Sequence, residues 1–193
     1  MAPRLIVAVA GMPGSGKSMV SRIIAEELGC RVYSMGDVVR EETRRRGLEV
    51  IAENVERVAV ELRRELGPQA VALLLSEKLQ AATGCAVVDG VRSLDEVRVF
   101  KGIAPVCIVA VHASPGTRYR RMMERGRLED LGGLEGFRLR DKSNLALGVG
   151  SVIAMADFII VNEAGRDELA DSARRVAWVI GCDEGKSCSG GGG

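Results

Sequence analysis

A three-layer α/β fold, in which helices flank a five-stranded parallel sheet, is what this sequence predicts. Three observations predict it. Short apolar runs alternate along the chain with longer segments whose apolar residues recur at helical spacing. The runs are continuous rather than alternating, as in strands buried on both faces of a parallel sheet. A Gly-rich loop stands between the first run and the first helical segment. Strands alternating with helices require right-handed crossovers, which place helices on the sheet faces.

The elements follow in order. Leu5–Ala10 (LIVAVA) is the first strand, residues 18–28 the first helix, and Gly29 its stop. Arg31–Ser34 is a short second strand. Residues 37–66 are charged and helical with a break near Gly47; Gly67 and Pro68 make a turn, and 69–82 is another helix. Residues 85–89 (CAVVD) form the third strand, Leu94–Lys101 a short helix, and 105–111 (PVCIVAV) the fourth strand. Pro115–Arg125 is an Arg-rich helix, 126–136 a polar, Gly-rich and mobile loop, and 137–154 mostly helix. Residues 157–161 (DFIIV) are the fifth strand and 166–180 the closing helix. The tail, 181–193, ends in SCSGGGG, a composition that cannot build a core and predicts disorder.

The 193 residues suffice for one domain with a real core, assigned to 1–180. Lys plus Arg total 27 and Asp plus Glu 26, a net charge of +1, so no global field draws the chain to nucleic acid or an anionic membrane. Phosphate affinity must come from local clusters. Arg outnumbers Lys by 22 to 5, and Arg grips phosphate oxygens in pairs, although a GC-rich genome produces the same bias. Asn plus Gln total only five, a scarcity found in heat-stable proteins. The five cysteines lack zinc-ligand spacing. Cys85 and Cys107 lie in apolar runs and read as small buried hydrophobes in a reduced, cytoplasmic chain; Cys182 and Cys188 sit in the tail. The apolar run at Leu5–Ala10 is too short for a signal peptide, and no stretch has membrane-spanning length. His112 is the single histidine, which argues against His-based metal sites and a Ser-His-Asp triad.

The loop Gly11, Met12, Pro13, Gly14, Ser15, Gly16, Lys17, Ser18 fits G-x-x-x-x-G-K-[ST] between a buried strand and a helix. Glycines let the backbone fold so tightly that successive N–H groups point inward at phosphate oxygens, and the following helix adds the positive end of its dipole. Lys17 is placed to reach the β- and γ-phosphates of ATP, and the Ser18 hydroxyl to ligate Mg²⁺. The fold class is therefore a P-loop NTPase, with ATP as substrate and Mg²⁺ as cofactor; Met19 follows the loop at the ATP side.

Beyond the loop, Ser34, Met35, Gly36, Asp37, Val38, Val39, Arg40 resembles the [ST]-x-G-D-[LV]-[LV]-R segment of adenylate kinases. Val87, Val88, Asp89, Gly90, Val91, Arg92 is similar to their h-h-D-G-F-P-R, one residue shorter and without the Pro. Arg138, Leu139, Arg140, Asp141 resembles the returning R-x-R-D-like element of their lid, as a helix turn or an extended segment. On these motifs the chain resembles the nucleoside monophosphate kinase branch of P-loop proteins, adenylate kinases and dephospho-CoA kinases above all, and within it an archaeal adenylate-kinase-related group. The likeness covers about residues 5–176.

The resemblance implies a helical acceptor-binding insertion at about 36–82 and a lid at about 126–140. It implies that Ser34 sits near the acceptor, that Arg40 and Arg92 hold its phosphate, and that Asp89 holds a water of Mg²⁺. It further implies that Arg125 stacks on the ATP base, that Arg127 enters the lid, and that Arg138 and Arg140 meet the transferring phosphoryl group. A base-reading residue would fall near Glu96, and residues 162–165 would pack the adenine through backbone. Arg118 and Arg120 read as a solvated basic face.

The function expected is transfer of the γ-phosphate of ATP-Mg to a nucleoside monophosphate or nucleotide-like acceptor. Dephospho-CoA kinase activity, an ATPase switch or assembly factor, and a nucleotide-binding protein without turnover are the alternatives. The partners implied are ATP and a small phosphorylated acceptor, with no membrane or nucleic acid.

Overall fold

The computed structural model describes residues 2–126 and 132–182. Strands β1 (Leu5–Ala10), β2 (Arg31–Ser34), β3 (Cys85–Val91), β4 (Val106–His112) and β5 (Phe158–Val161) form a wholly parallel sheet in the order β2-β3-β1-β4-β5. The helices among the described residues are α1 (Lys17–Leu28), α2 (Met35–Arg45), α3 (Ala52–Leu66), α4 (Ala70–Gln80), α5 (Leu94–Lys101), α6 (Pro115–Arg125), α7 (Gly133–Leu147), α8 (Val149–Ala154) and α9 (Arg166–Cys182).

The continuous apolar runs have the cause expected of them. Along β1, Ile6, Ala8 and Ala10 join one core and Leu5, Val7 and Val9 the other, because successive side chains point to opposite faces. The first core lies under α2, α3, α4, α5 and α8, the second under α1 and α9. Each fully buried Val, Leu or Ile adds roughly 1.5–3 kcal/mol before the entropy cost of ordering it. Two layers of helix on one sheet follow, and the strands all present their C-terminal ends to the same edge, where ligands of open α/β sheets bind.

Several elements depart from the expectation. β3 runs on to Val91, because its register with β1 shifts between Val9 and Ala10 and so skips Gly90 (φ 91°). Such a bulge bends a strand and re-aims the side chains around it, here Asp89 and Arg92. Residues 133–136, expected as loop, are the first turn of α7: the Gly136 N–H bonds the Gly132 carbonyl at 2.9 Å, and Phe137 is buried beside Tyr119 at 5.5 Å between ring centroids. The helix expected over 137–154 is broken at Gly148, whose φ of 102° no other residue adopts cheaply. α9 carries two residues of the expected tail, Gly181 and Cys182, as helix. Arg127 and residues 183–193 lie outside the described residues.

Cys85 is buried as expected, but it is not a free thiol: it is disulfide-bonded to Cys30. The register explains the pairing. Arg31 stands opposite Ala86 in the β2–β3 ladder, so the preceding residues, Cys30 and Cys85, are neighbours with Cα atoms 5.0 Å apart. Their 55-residue separation hides this from any spacing rule, and the expectation of a reduced chain fails at this pair. No helix among the described residues is long and apolar enough to cross a membrane.

Candidate active site

The phosphate loop joins β1 to α1 and is packed too closely for larger residues at Gly11, Gly14 and Gly16. A Cβ on Gly14 (φ 81°) would lie 2.9 Å from the Arg118 carbonyl oxygen, and one on Gly16 (φ 97°) 2.5 Å from Nδ2 of Asn162. Lys17 and Ser18 open α1, so the dipole of this 12-residue helix points into the loop. Enclosure lowers the Lys17 ammonium from 10.5 to about 8; Asp89 opposes the shift, whereas Arg92, Arg140 and Arg125 add to it. A cation held among cations in an enclosed site is poised for a polyanion.

The Ser18 hydroxyl donates to Oδ2 of Asp89 at 2.8 Å. The other carboxylate oxygen of Asp89 and the hydroxyl of Ser15 are buried without a hydrogen-bond partner. Buried polar atoms rarely stay unsatisfied, and oxygen donors of this kind suit Mg²⁺ or its waters and phosphate oxygens. The residues present thus fit ATP-Mg.

Beyond the Gly90 bulge, Arg92 and Glu96 form a buried assembly. Glu96 is 1% exposed, accepts the Arg92 backbone N–H at 2.7 Å, and meets Nη2 of Arg63 at 3.4 Å, while Ser93 caps α5 by accepting the Glu96 N–H at 3.1 Å. Burial pushes the Glu96 carboxyl up and the Arg92 guanidinium down. Glu96 therefore turns inward to hold Arg63 and the Arg92 backbone, and it is not available to read a base.

A cavity of about 970 Å³ opens between α2, α3 and α7. Arg40, Arg63, Arg92 and Arg140 line it, against an apolar wall that includes Val39, Ile51 and Val60. Arg40 binds Oδ1 of Asp37 through Nε at 3.1 Å and Nη2 at 2.6 Å. Ser34 ends β2 opposite Asp89 in the ladder, and its hydroxyl caps α2 by accepting the Asp37 N–H at 3.2 Å. The structure thus gathers Lys17, Ser18, Ser34, Arg40, Asp89, Arg92 and Arg140 at one sheet edge, with the charge of Arg125 at the end of α6 also felt by Lys17. Met19 packs against the second core rather than into the loop.

Arg138 is not brought to this group. Two residues apart on a helix are about 200° apart around its axis, so Arg138 and Arg140 point to opposite sides of α7. Arg138 lines a separate cavity of about 470 Å³ with Pro115 and Tyr119. The two stand on one side only in an extended segment, which this is not.

The residues that brace the loop, Asn162, Arg121 and Arg118, are ones to which the sequence assigned another part or none. Nδ2 of Asn162, at the end of β5, donates to the Ser15 carbonyl at 2.8 Å. Arg121 holds that asparagine through its carbonyl at 2.9 Å and its Oδ1 at 3.1 Å. Arg118, 3% exposed, bonds the Pro13 carbonyl at 3.1 Å and grips both carboxylate oxygens of Asp141 at 2.7 and 2.6 Å. Arg118 is a buried linchpin rather than a solvated face. Its one signal in the sequence is the face it shares with Arg121 and Arg125 on α6.

The AAA domain family profile matches residues 10–137. A UPF0200 protein of Hyperthermus butylicus is 51% identical over 176 residues, covering 91% of this chain and 94% of that protein. The chain belongs to the UPF0200 family. Among solved structures, a shikimate kinase from Bacteroides thetaiotaomicron superposes with a TM-score of 0.60 at 17% identity, over 91% of this chain and 98% of that one. A gluconokinase from Sinorhizobium meliloti gives 0.60 at 16% identity, over 95% and 97%. At such identity the likeness shows the fold, a P-loop kinase fold, for this UPF0200 protein. Neither neighbour is an adenylate kinase, so the likeness shows the fold without singling out the adenylate kinase branch.

Proposed function

We propose that this UPF0200 protein is an ATP-dependent phosphotransferase that moves the γ-phosphate of ATP-Mg to a nucleoside monophosphate or nucleotide-like acceptor. One observation carries the proposal: a second set of guanidinium groups, Arg40, Arg92 and Arg140, lines a cavity opening beside the phosphate loop. Hydrolysis uses at most an arginine finger on the γ-phosphate, whereas an acceptor that carries its own phosphate needs further guanidinium groups to seat it.

In this reading the loop amides and the α1 dipole hold the β- and γ-phosphates, and Lys17 neutralises them. Ser18 and Asp89 would hold Mg²⁺, whose part is to offset charge on the phosphate oxygens. Arg40 and Arg92 seat the acceptor phosphate. One of its oxygens attacks the γ-phosphorus while the bond to the β–γ bridging oxygen breaks, and ADP leaves. Charge on the transferring group stays spread over its oxygens, so catalysis is positioning plus fixed positive partners. Arg140 is the partner that faces both the cavity and Lys17. A phosphate acceptor is already ionised and needs no general base.

A hydroxyl acceptor, dephospho-CoA included, is the second reading, favoured by the carboxylate of Asp37 held beside Arg40 at the mouth of α2. That chemistry does need a base. Kinetics on Arg40→Ala and Arg92→Ala test the proposal. An acceptor KM raised at least about tenfold with ATP KM unchanged supports it, since a charge-assisted hydrogen bond is worth roughly 1.5–3 kcal/mol. Unchanged acceptor kinetics in both variants removes the phosphate-acceptor assignment.

A further inference from the structure

Arg118 spends four of its five N–H donors inside the protein. Nε donates to the Ala113 carbonyl at 3.1 Å, Nη1 to the Pro13 carbonyl at 3.1 Å and to Oδ1 of Asp141 at 2.7 Å, and Nη2 to Oδ2 of Asp141 at 2.6 Å. Its guanidinium also lies 5.0 Å from the centre of the Phe137 ring. One side chain therefore ties together the end of β4, the phosphate loop and α7. α6, which carries it, is itself held at its start: Glu163 accepts from the Thr117 hydroxyl at 2.7 Å and from the Ser114 backbone N–H.

The tie falls next to a residue of the site. Asp141 follows Arg140 directly on α7, and the turn is stiffened by Asn144, buried, whose Nδ2 donates to the Arg140 carbonyl at 2.8 Å. Arg140 leaves the same turn on another face and reaches the acceptor cavity. A bidentate Arg–carboxylate pair fixes direction as well as distance.

We propose that Arg118 and Asp141 are positioning residues: their pair fastens α7 to the phosphate loop, so that Arg140 stands preset beside Lys17 instead of arriving with a closing lid. This rests on the phosphotransferase reading. Residues 137–140, expected as the end of a lid, then belong to the fixed body with the rest of α7. Misplacing a catalytic cation by about 1 Å costs on the order of 10²-fold in rate. Asp141 acts only through where it puts Arg140.

A double-mutant cycle on kcat tests it, with Arg140→Ala, Asp141→Asn and the double variant, each checked for a native melt. Asp141→Asn is expected to lower kcat by about 10²-fold with ATP binding within about threefold, and the double variant to be no slower than Arg140→Ala alone. Losses that multiply, or an undiminished kcat in Asp141→Asn, overturn the proposal. Should Asp141→Asn not fold, Asp141→Glu keeps the charge, shifts it by a methylene, and is read by the same cycle. Lys17→Ala runs in parallel: if it keeps turnover, the phosphotransferase reading falls and this one with it. If it abolishes turnover while the cycle is additive, only the positioning role fails.

Discussion

The Lys17 ammonium titrates near 8 in the free protein because it is enclosed and faces Arg92, Arg140 and Arg125. The phosphates of ATP reverse that environment and return the group to its ordinary range, so ATP binding above neutral pH must take up a proton. The magnitude follows from the shift. The free site is about 10% deprotonated at pH 7 and about 90% at pH 9, so uptake rises from about 0.1 to about 0.9 proton per ATP. ATP affinity falls about tenfold over the same range, which is about 1.4 kcal/mol. Phosphate itself does not contribute there, since its last proton leaves near pH 6. Titration calorimetry at pH 7 and pH 9, in pairs of buffers with different ionisation enthalpies, reads the uptake directly, and Lys17→Met should abolish it. Equal binding enthalpies across buffers at pH 9 would refute the reasoning. The same shift has a stability sign. The folded state binds fewer protons than the unfolded one between about pH 8 and 10.5, so stability of the free protein rises across that window.

Other outcomes are expected away from Lys17. Reducing Cys30–Cys85 releases a 55-residue loop and should lower stability by roughly 4 kcal/mol, read from urea unfolding with and without reductant; an unchanged midpoint would show that the bond does not constrain the unfolded chain. Glu42, gripped by Arg45 and Arg46, has its carboxyl lowered from 4.5 to about 2, so its contribution is whole above pH 4.5 and is lost as pH falls toward 2. Glu42→Gln should cost about 1.5–3 kcal/mol at pH 7 and little at pH 2, and a loss independent of pH would contradict the assignment. Arg118→Ala leaves the partly buried Asp141 without its partner and should cost about 3 kcal/mol, a drop of several degrees in Tm; a wild-type melt would mean the pair does not hold in solution.

The centre of the sheet was legible because β1, β3 and β4 are buried along nearly their whole length; β1 and the exposed edge strand β2 match their expected bounds to the residue, and the phosphate loop could be read from its spacing alone. What stayed hidden depends on register and on helix phase. Cys30 and Cys85 meet only because β2 pairs with β3 one residue further on. Arg92 is aimed by a bulge at Gly90 that shifts the ladder by one residue, the place where the chain is shorter than the pattern it resembles. Arg138 and Arg140 look alike in sequence, and only the helical phase of α7 separates them. Arg118 and Glu96 carry the charges expected of exposed residues, yet both are buried, because each has a partner far along the chain: Asp141 for one, Arg63 for the other. Side chains whose partners lie 23 or 33 residues away cannot be told from solvated ones by local pattern.

Transfer to a small acceptor is read as ADP release from ATP-Mg. It is measured first without acceptor, then with nucleoside monophosphates, deoxynucleoside monophosphates and dephospho-CoA, with Lys17→Ala as the control. A large stimulation by one class of acceptor, lost in Lys17→Ala, is expected. Slow release that no acceptor changes would contradict it and point to an ATPase whose partner is a macromolecule.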